Sequence, residues 1–130
     1  MSFSKTISSE LRDSEPLFLS VLPNTSTVVS EPFLCNGTQL GLELVGRMEK
    51  GVEVPAEKNL TVTLLASDTL DGEFTEYATL CTVSGKTLED GGELFRFVPV
   101  STLPSWKKVS LETDADLSAG TLSVGLVHKA

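Results

Sequence analysis

Residues 59–67, with the sequence NLTVTLLAS, alternate between apolar and polar side chains. Successive side chains of an extended strand point to opposite faces, so the apolar set falls on one face. That set is Leu60, Val62, Leu64 and Ala66. Thr61 and Thr63 fall on the other face. The segment therefore predicts a half-buried strand, which is stable only within a sheet that has its apolar face covered.

Short runs of this kind recur along the chain between clusters of Gly, Pro, Asn and Asp, whereas helical periodicity is almost absent. The further runs are residues 17–22, 26–30, 39–48, 77–83, 94–100, 106–113 and 120–127. Pro99 cannot donate to a strand ladder, so the strand that contains it lies at an edge or ends there. The pattern predicts an all-β fold, a two-sheet sandwich of jelly-roll type with about eight strands.

The 130 residues are enough for one domain with its own core. We assign residues 16–130 to a single β-sandwich domain and residues 1–15 to an N-terminal arm. The arm carries no clear periodicity, and we expect it to be extended or loosely ordered. A helical turn that starts within residues 8–11 is the alternative.

The formal charge of −8 at pH 7 limits the partners that the chain can bind. Nucleic acid and anionic membranes attract basic surfaces, so neither is predicted as a partner. A basic protein surface remains compatible with the charge. No stretch of the sequence approaches the ~20 apolar residues that would cross a bilayer, and we expect a soluble protein made in the cytoplasm.

Catalytic chemistry finds little support in the residues. The one histidine, His128, follows the last predicted strand and is expected to be a solvated side chain rather than a general base. Cys35 and Cys81 form no CxxC pair and are expected to be reduced thiols. The acidic residues within 68–76 and 112–116 lack the spacing of a calcium loop. We predict no enzymatic activity, no metal site and no cofactor.

Five segments of residues 59–127 together resemble a known protein family. They are NLTVTLLASD, the acidic loop that carries Phe74, LFRFVPV, WKKVSLET and LSAGTLSVGLV. Their order and spacing resemble those of the small jelly-roll cement, or decoration, proteins of tailed phage capsids. The N-terminal half shows no comparable match, so a different arm or an inserted loop is expected there.

The resemblance implies a structural role without catalysis or cofactor. A protein of this family binds the outer surface of an icosahedral capsid, bridges neighbouring major capsid proteins and resists the pressure of the packaged DNA. The implied partner is the major capsid protein, and the implied location is the outside of the virion after synthesis in the bacterial host cytoplasm. We also expect self-association as a homodimer, with a trimer as the alternative. The competing function is a non-catalytic β-sandwich module that binds a carbohydrate or a protein.

The only tryptophan, Trp106, is followed by the only two adjacent basic residues, Lys107 and Lys108. Strand alternation puts Lys107 on the inward register of Val109 and Leu111, and puts Trp106 and Lys108 on the outward face. A tryptophan flanked by lysine is typical of a protein–protein contact. The alternative is a rim residue that a neighbouring loop or the arm covers.

The predicted partner contacts lie in the segments that a sandwich explains least and at the start of this strand. These segments are the N-terminal arm and the loop of residues 49–58. The predicted contact residues are Phe3, Leu11, Lys50, Val52, Val54, Trp106 and Lys108.

Overall fold

A computed structural model describes residues 10–12, 17–34, 42–97, 104 and 106–129. These residues contain twelve β-strands and no helix, which confirms the all-β prediction. All strand pairing is antiparallel. The strands are β1 Glu10–Arg12, β2 Phe18–Val21, β3 Thr27–Val29, β4 Phe33–Leu34, β5 Leu42–Lys50, β6 Val52–Val54, β7 Leu60–Ser67, β8 Thr75–Val83, β9 Lys86–Leu88, β10 Glu93–Phe97, β11 Trp106–Thr113 and β12 Thr121–Lys129.

The first sheet is built around β12. On one side β12 pairs with β5, which in turn pairs with β10 at the edge of the sheet. On its other side β12 pairs with β2 near its start and with β1 near its end. The prediction that the strand before Pro99 lies at an edge is therefore confirmed for β10, while Pro99 itself lies outside the described residues.

The second sheet is built around β11 in the same way. On one side β11 pairs with β7 along its whole length, and β7 pairs with β8 at the edge. On its other side β11 pairs with the short strands β3 and β4. Both central strands, β11 and β12, are thus joined to partners on each side.

The two five-stranded sheets contribute to one hydrophobic core. The alternation predicted for residues 59–67 is confirmed, because the four predicted inward side chains of β7 are buried and the two threonines are only half-buried. Residues of β5 and β12 join them from the first sheet. The fully buried members of the cluster from the four long central strands include Leu44, Met48, Leu60, Val62, Leu64, Val109, Leu111, Leu122 and Val124.

A third, two-stranded sheet pairs β6 with β9, and neither segment was among the runs predicted as strands. Each strand has only three residues and lies among charged residues, glycine and proline, so neither shows a clear period of two. Val54 and Leu88 nevertheless bury their side chains in the common core. The segment of residues 49–58 is therefore partly structural rather than an inserted loop.

The prediction of about eight strands was wrong for the described residues, which hold twelve. Each of the eight predicted runs corresponds to an observed strand, and the additional strands are the short ones β1, β4, β6 and β9. β1 lies within the predicted N-terminal arm, and its pairing with β12 ties residues 10–12 to the first sheet. The remainder of residues 1–15 lies outside the described part of the chain.

Candidate docking face

The candidate site is the outward face of the second sheet, which we call the outer face. β11 supplies its central row, and the register predicted for this strand is confirmed. Lys107, Val109 and Leu111 are completely buried, whereas Trp106 and Lys108 are half-buried on the opposite face. Trp106 therefore lies on the outer face and not in the core.

Pairing across the sheet sets the neighbours of each residue in this row. Trp106 lies between Leu34 of β4 and Ser67 of β7. One pair further along, Lys108 is opposite Leu65. Directly opposite and diagonal residues on one sheet face are within contact reach of one another. The outer face thus has an apolar group at the Trp106 end: Leu34, Leu65 and Trp106.

The remainder of the outer face combines hydroxyl side chains with two exposed carboxylates, Glu76 opposite Leu65 and Glu112 opposite Thr61. Ser110 lies between Val29 of β3 and Thr63 of β7, and Thr63 is opposite Thr79 of β8. Leu34 and Val29 are 55% and 46% exposed, although both are large apolar residues. A surface of exposed apolar side chains bordered by polar groups is typical of protein–protein interfaces.

Lys108 is held by an aromatic ring from the acidic loop that follows β7. Its Nζ atom lies 4.3 Å from the centroid of the Phe74 ring, which is a cation–π geometry. The contact orients the ammonium group and brings Phe74 to the edge of the outer face. Phe74 and Leu34 were not among the predicted contact residues.

Lys107 occupies an unusual position for a lysine, since no part of its side chain is exposed. Its Nζ atom donates a hydrogen bond to the carbonyl oxygen of Pro104 and lies 4.8 Å from the centroid of the Tyr77 ring. These contacts compensate a charge that burial would otherwise make costly. Lys107 therefore anchors the start of β11 from the inside, while its neighbours face outward.

The structure does not bring the predicted contacts of residues 49–58 to Trp106. Seven residue steps separate Trp106 from Thr113, or about 23 Å along the strand. The turn after Thr113 leads to Gly120, which packs beneath Val52, and Lys50 pairs with Thr121. Lys50 is exposed and Val52 half-buried, both at the end of the fold far from Trp106.

Of the three remaining predicted contact residues, two lie elsewhere in the fold and one lies outside the described residues. Val54 is completely buried in the core, so its prediction as a partner contact was wrong: its side chain fills the space beneath the two-stranded sheet. Leu11 lies in β1, where its backbone pairs with His128. Phe3 lies outside the described residues.

The acidic residues of the described ranges serve the turns of the fold rather than a metal site. In the described part of the chain, no group of three or more His, Cys, Asp or Glu side chains is placed to hold a metal ion. Asp116 instead accepts hydrogen bonds from the hydroxyl and the backbone N–H of Ser118, and these bonds lower the pKa of its carboxyl group. Its carboxylate stabilises the turn between β11 and β12.

Cys81 behaves as a structural thiol. Burial raises its pKa from 9.0 to about 11, and Lys86 offsets only part of this effect. At pH 8 the shift leaves about a hundredfold less thiolate, which is the reactive form. In a Cys35→Ser background, we expect the native chain to react with a disulfide reagent at least about a hundredfold more slowly than the urea-unfolded chain.

The raised pKa of Cys81 also makes the free energy of unfolding depend on pH, and urea unfolding at several pH values measures this dependence. The folded state holds the Cys81 proton more tightly than the unfolded state does. The resulting contribution to the free energy of unfolding is fully present below pH 9.0 and is lost as the pH rises toward about 11. A Cys81→Ser control in the same background would remove this slope. Equal labelling rates for the native and unfolded chains would contradict the interpretation.

The signals that sequence reasoning missed are nonlocal. Leu34 is adjacent to Trp106 only because β4 pairs with β11, and Phe74 reaches Lys108 from a loop. The sequence at this position shows only two adjacent apolar residues, Phe33 and Leu34. In the structure Phe33 is buried and Leu34 is exposed on the opposite face.

No helix in the described ranges could span a membrane. Comparison with protein-family models gives no match. Comparison with curated protein sequences gives no significant match either.

Proposed function

We propose that the chain is a structural virion protein that binds the outer surface of an icosahedral phage capsid and cements neighbouring major capsid proteins. The observation that carries this proposal is the outer face, where Trp106 and Leu34 form an apolar group beside a row of hydroxyls. The resemblance of residues 59–127 to jelly-roll cement proteins supplies the partner. The proposed role needs neither catalysis nor a cofactor.

The proposal includes a finer description of the fold. We propose that the two five-stranded sheets form a sandwich of jelly-roll type, preceded by an N-terminal arm. Their shared core supports a sandwich, since inward side chains of both sheets meet in one cluster. A rigid sandwich suits a protein that must transmit force between neighbouring capsid subunits without deforming.

The chemistry of the outer face suits a protein partner better than a sugar. Trp106 is half-buried on β11 and is directly opposite Leu34 of β4 and Ser67 of β7, so neither of its register partners is a second aromatic residue. Half-buried aromatic anchors with apolar neighbours are the residues that carry most of the binding energy in protein interfaces. The net charge of −8 adds an attraction to a basic patch on the shell.

Two substitutions test this assignment, namely Trp106→Ala and Leu34→Ser. Truncating a central interface tryptophan typically costs about 2 kcal/mol of binding, so we expect Trp106→Ala to weaken capsid binding about thirtyfold. Thr87→Ala is the control, because Thr87 is exposed on β9, which pairs with β6 at the end of the fold far from Trp106. Co-sedimentation with purified shells measures the binding, and thermal unfolding of each variant checks that the fold is retained.

Failure of the wild-type chain to co-sediment with shells at every salt concentration would remove the capsid proposal. The competing carbohydrate module predicts a different result, in which glycans shift the fluorescence of Trp106 and a glycan array gives specific signals. A change in fluorescence with shells and none with glycans separates the two functions.

A further inference from the structure

The short strand β2 forms an edge of the first sheet, and β3 and β4 form an edge of the second sheet on the same side of the molecule. β2 belongs to the first sheet and β3 to the second, and only residues 22–26 connect them. This connection is fixed to the β11–β12 turn, since Leu22 donates to the carbonyl of Gly120 and Thr25 to that of Ala115. At the opposite side, the rings of Tyr77 in β8 and Phe97 in β10 meet edge to face at 6.4 Å.

The side formed by β8 and β10 is protected against further strand pairing. β8 contains two register shifts opposite β7, and β10 contains one opposite β5. Arg96 of β10 forms ion pairs with Glu93 and with Glu43. Bulges and charges of this kind are the usual means by which proteins prevent an edge strand from adding another strand.

On the other side of the molecule, β2 carries none of these protections within the described residues. Glu31 is the only charged residue among residues 17–34, in a chain that is 22% charged. No register shift interrupts the pairing of β2 with β12. Four of the five exposed large apolar residues in the described part of the chain lie on β2, β3 and β4: Leu19, Val21, Val29 and Leu34.

Within this side, β2 is the strand best suited to pair with a further strand. It has four residues without proline or charge, and Leu19 and Val21 are 58% and 56% exposed. The β3–β4 edge is instead interrupted by Glu31 and Pro32, and proline cannot donate to a ladder. Among the described strands, β2 pairs with β12 alone.

We propose that β2 is the self-association edge of this protein, where it pairs antiparallel with β2 of a second copy across a two-fold axis. Two copies that each carry a charge of −8 repel one another, so they meet most readily where the surface is free of charge. An antiparallel pair of identical strands satisfies two-fold symmetry without further adjustment. Leu19 and Val21 of both copies then cover one another on the outward face of the first sheet.

The inference rests on the proposed function only in so far as a cement protein acts as an oligomer, and it leaves the outer face of the second sheet free for the capsid. Its test uses the isolated chain. Sedimentation velocity of the wild-type chain should give a species of twice 13.9 kDa as the concentration rises from about 1 to 500 µM. A monomer across this range would overturn the proposal.

Substitutions locate the contact. Leu19→Glu and Val21→Glu should each raise the dimer dissociation constant at least about tenfold, because the dimer would then bring two like charges onto one apolar patch. Leu70→Glu adds the same charge at a similarly exposed residue outside the sheets and should leave dimerisation unchanged. Thermal unfolding of all three variants verifies that the fold is intact.

Mixing two variants of opposite charge at residue 19 tests whether the substitutions act at the contact itself rather than through a change in the fold. Leu19→Glu and Leu19→Lys should each dimerise at least about tenfold more weakly than the wild type, and their equimolar mixture should recover dimerisation. Dimerisation as strong as that of the wild type in both glutamate variants, or a mixture that dimerises no better than its components, would place the contact elsewhere. Loss of capsid binding with dimerisation intact would count against the proposed function alone.

Discussion

Replacing Lys107 by alanine is expected to lower the free energy of unfolding by about 3 kcal/mol. The side chain is completely buried, and its residue pairs with Phe33 on one side and with Ala66 on the other. Alanine would remove the buried aliphatic stem, leave a cavity and abolish the hydrogen bond to the carbonyl of Pro104. Urea unfolding followed by the fluorescence of Trp106 measures the loss.

Lys107→Met provides the matched control for this prediction. Methionine keeps most of the length and volume of the stem but has neither the charge nor the donor, so we expect it to cost about 1.5 kcal/mol or less. The difference between the two variants separates packing from polar contacts. Equal stabilities for the alanine and methionine variants would show that the stem contributes nothing.

Gly46→Ala is expected to destabilise the fold by about 2–3 kcal/mol, because it overpacks the core of the first sheet. A Cβ atom at Gly46 would lie 2.7 Å from Cδ2 and 2.8 Å from Cζ of the Phe95 ring. The ring is buried on the neighbouring strand β10, so it cannot move into solvent without losing its own contacts. Chemical denaturation of the purified variant gives the value.

A double-mutant cycle tests the cause that we assign to this effect. In a Phe95→Leu background the ring atoms that meet the new methyl group are absent, so Gly46→Ala should cost at least about 1 kcal/mol less. An unchanged cost in both backgrounds would mean that the substitution acts through the backbone and not through the ring.

The features that sequence reasoning predicted are those set by local alternation. The inward and outward faces of β7 and β11 follow directly from the period of two, and even the buried position of Lys107 follows from its register. The general preference of lysine for solvent argues against such a position. The structure resolves the conflict through the carbonyl of Pro104 and the ring of Tyr77.

The features that it missed depend on pairing between distant segments. β6 and β9 are too short and too rich in charged neighbours to show a pattern, and they become strands only because they pair with one another over a common core. For the same reason Val54 was predicted at the surface. On the outer face, Leu34 and Phe74 reach Trp106 and Lys108 from segments far away in sequence.

The chain order of the central strands has a consequence for biosynthesis. β12 is the central strand of the first sheet and β11 that of the second, yet they are the last two strands of the described chain. Every earlier strand except β6, β8, β9 and β10 pairs directly with one of them. During translation neither sheet can therefore be completed until residues 106–129 have left the ribosome. Until these two strands arrive, β2, β3 and β4 in the apolar segment of residues 17–34 lack the strands with which they pair.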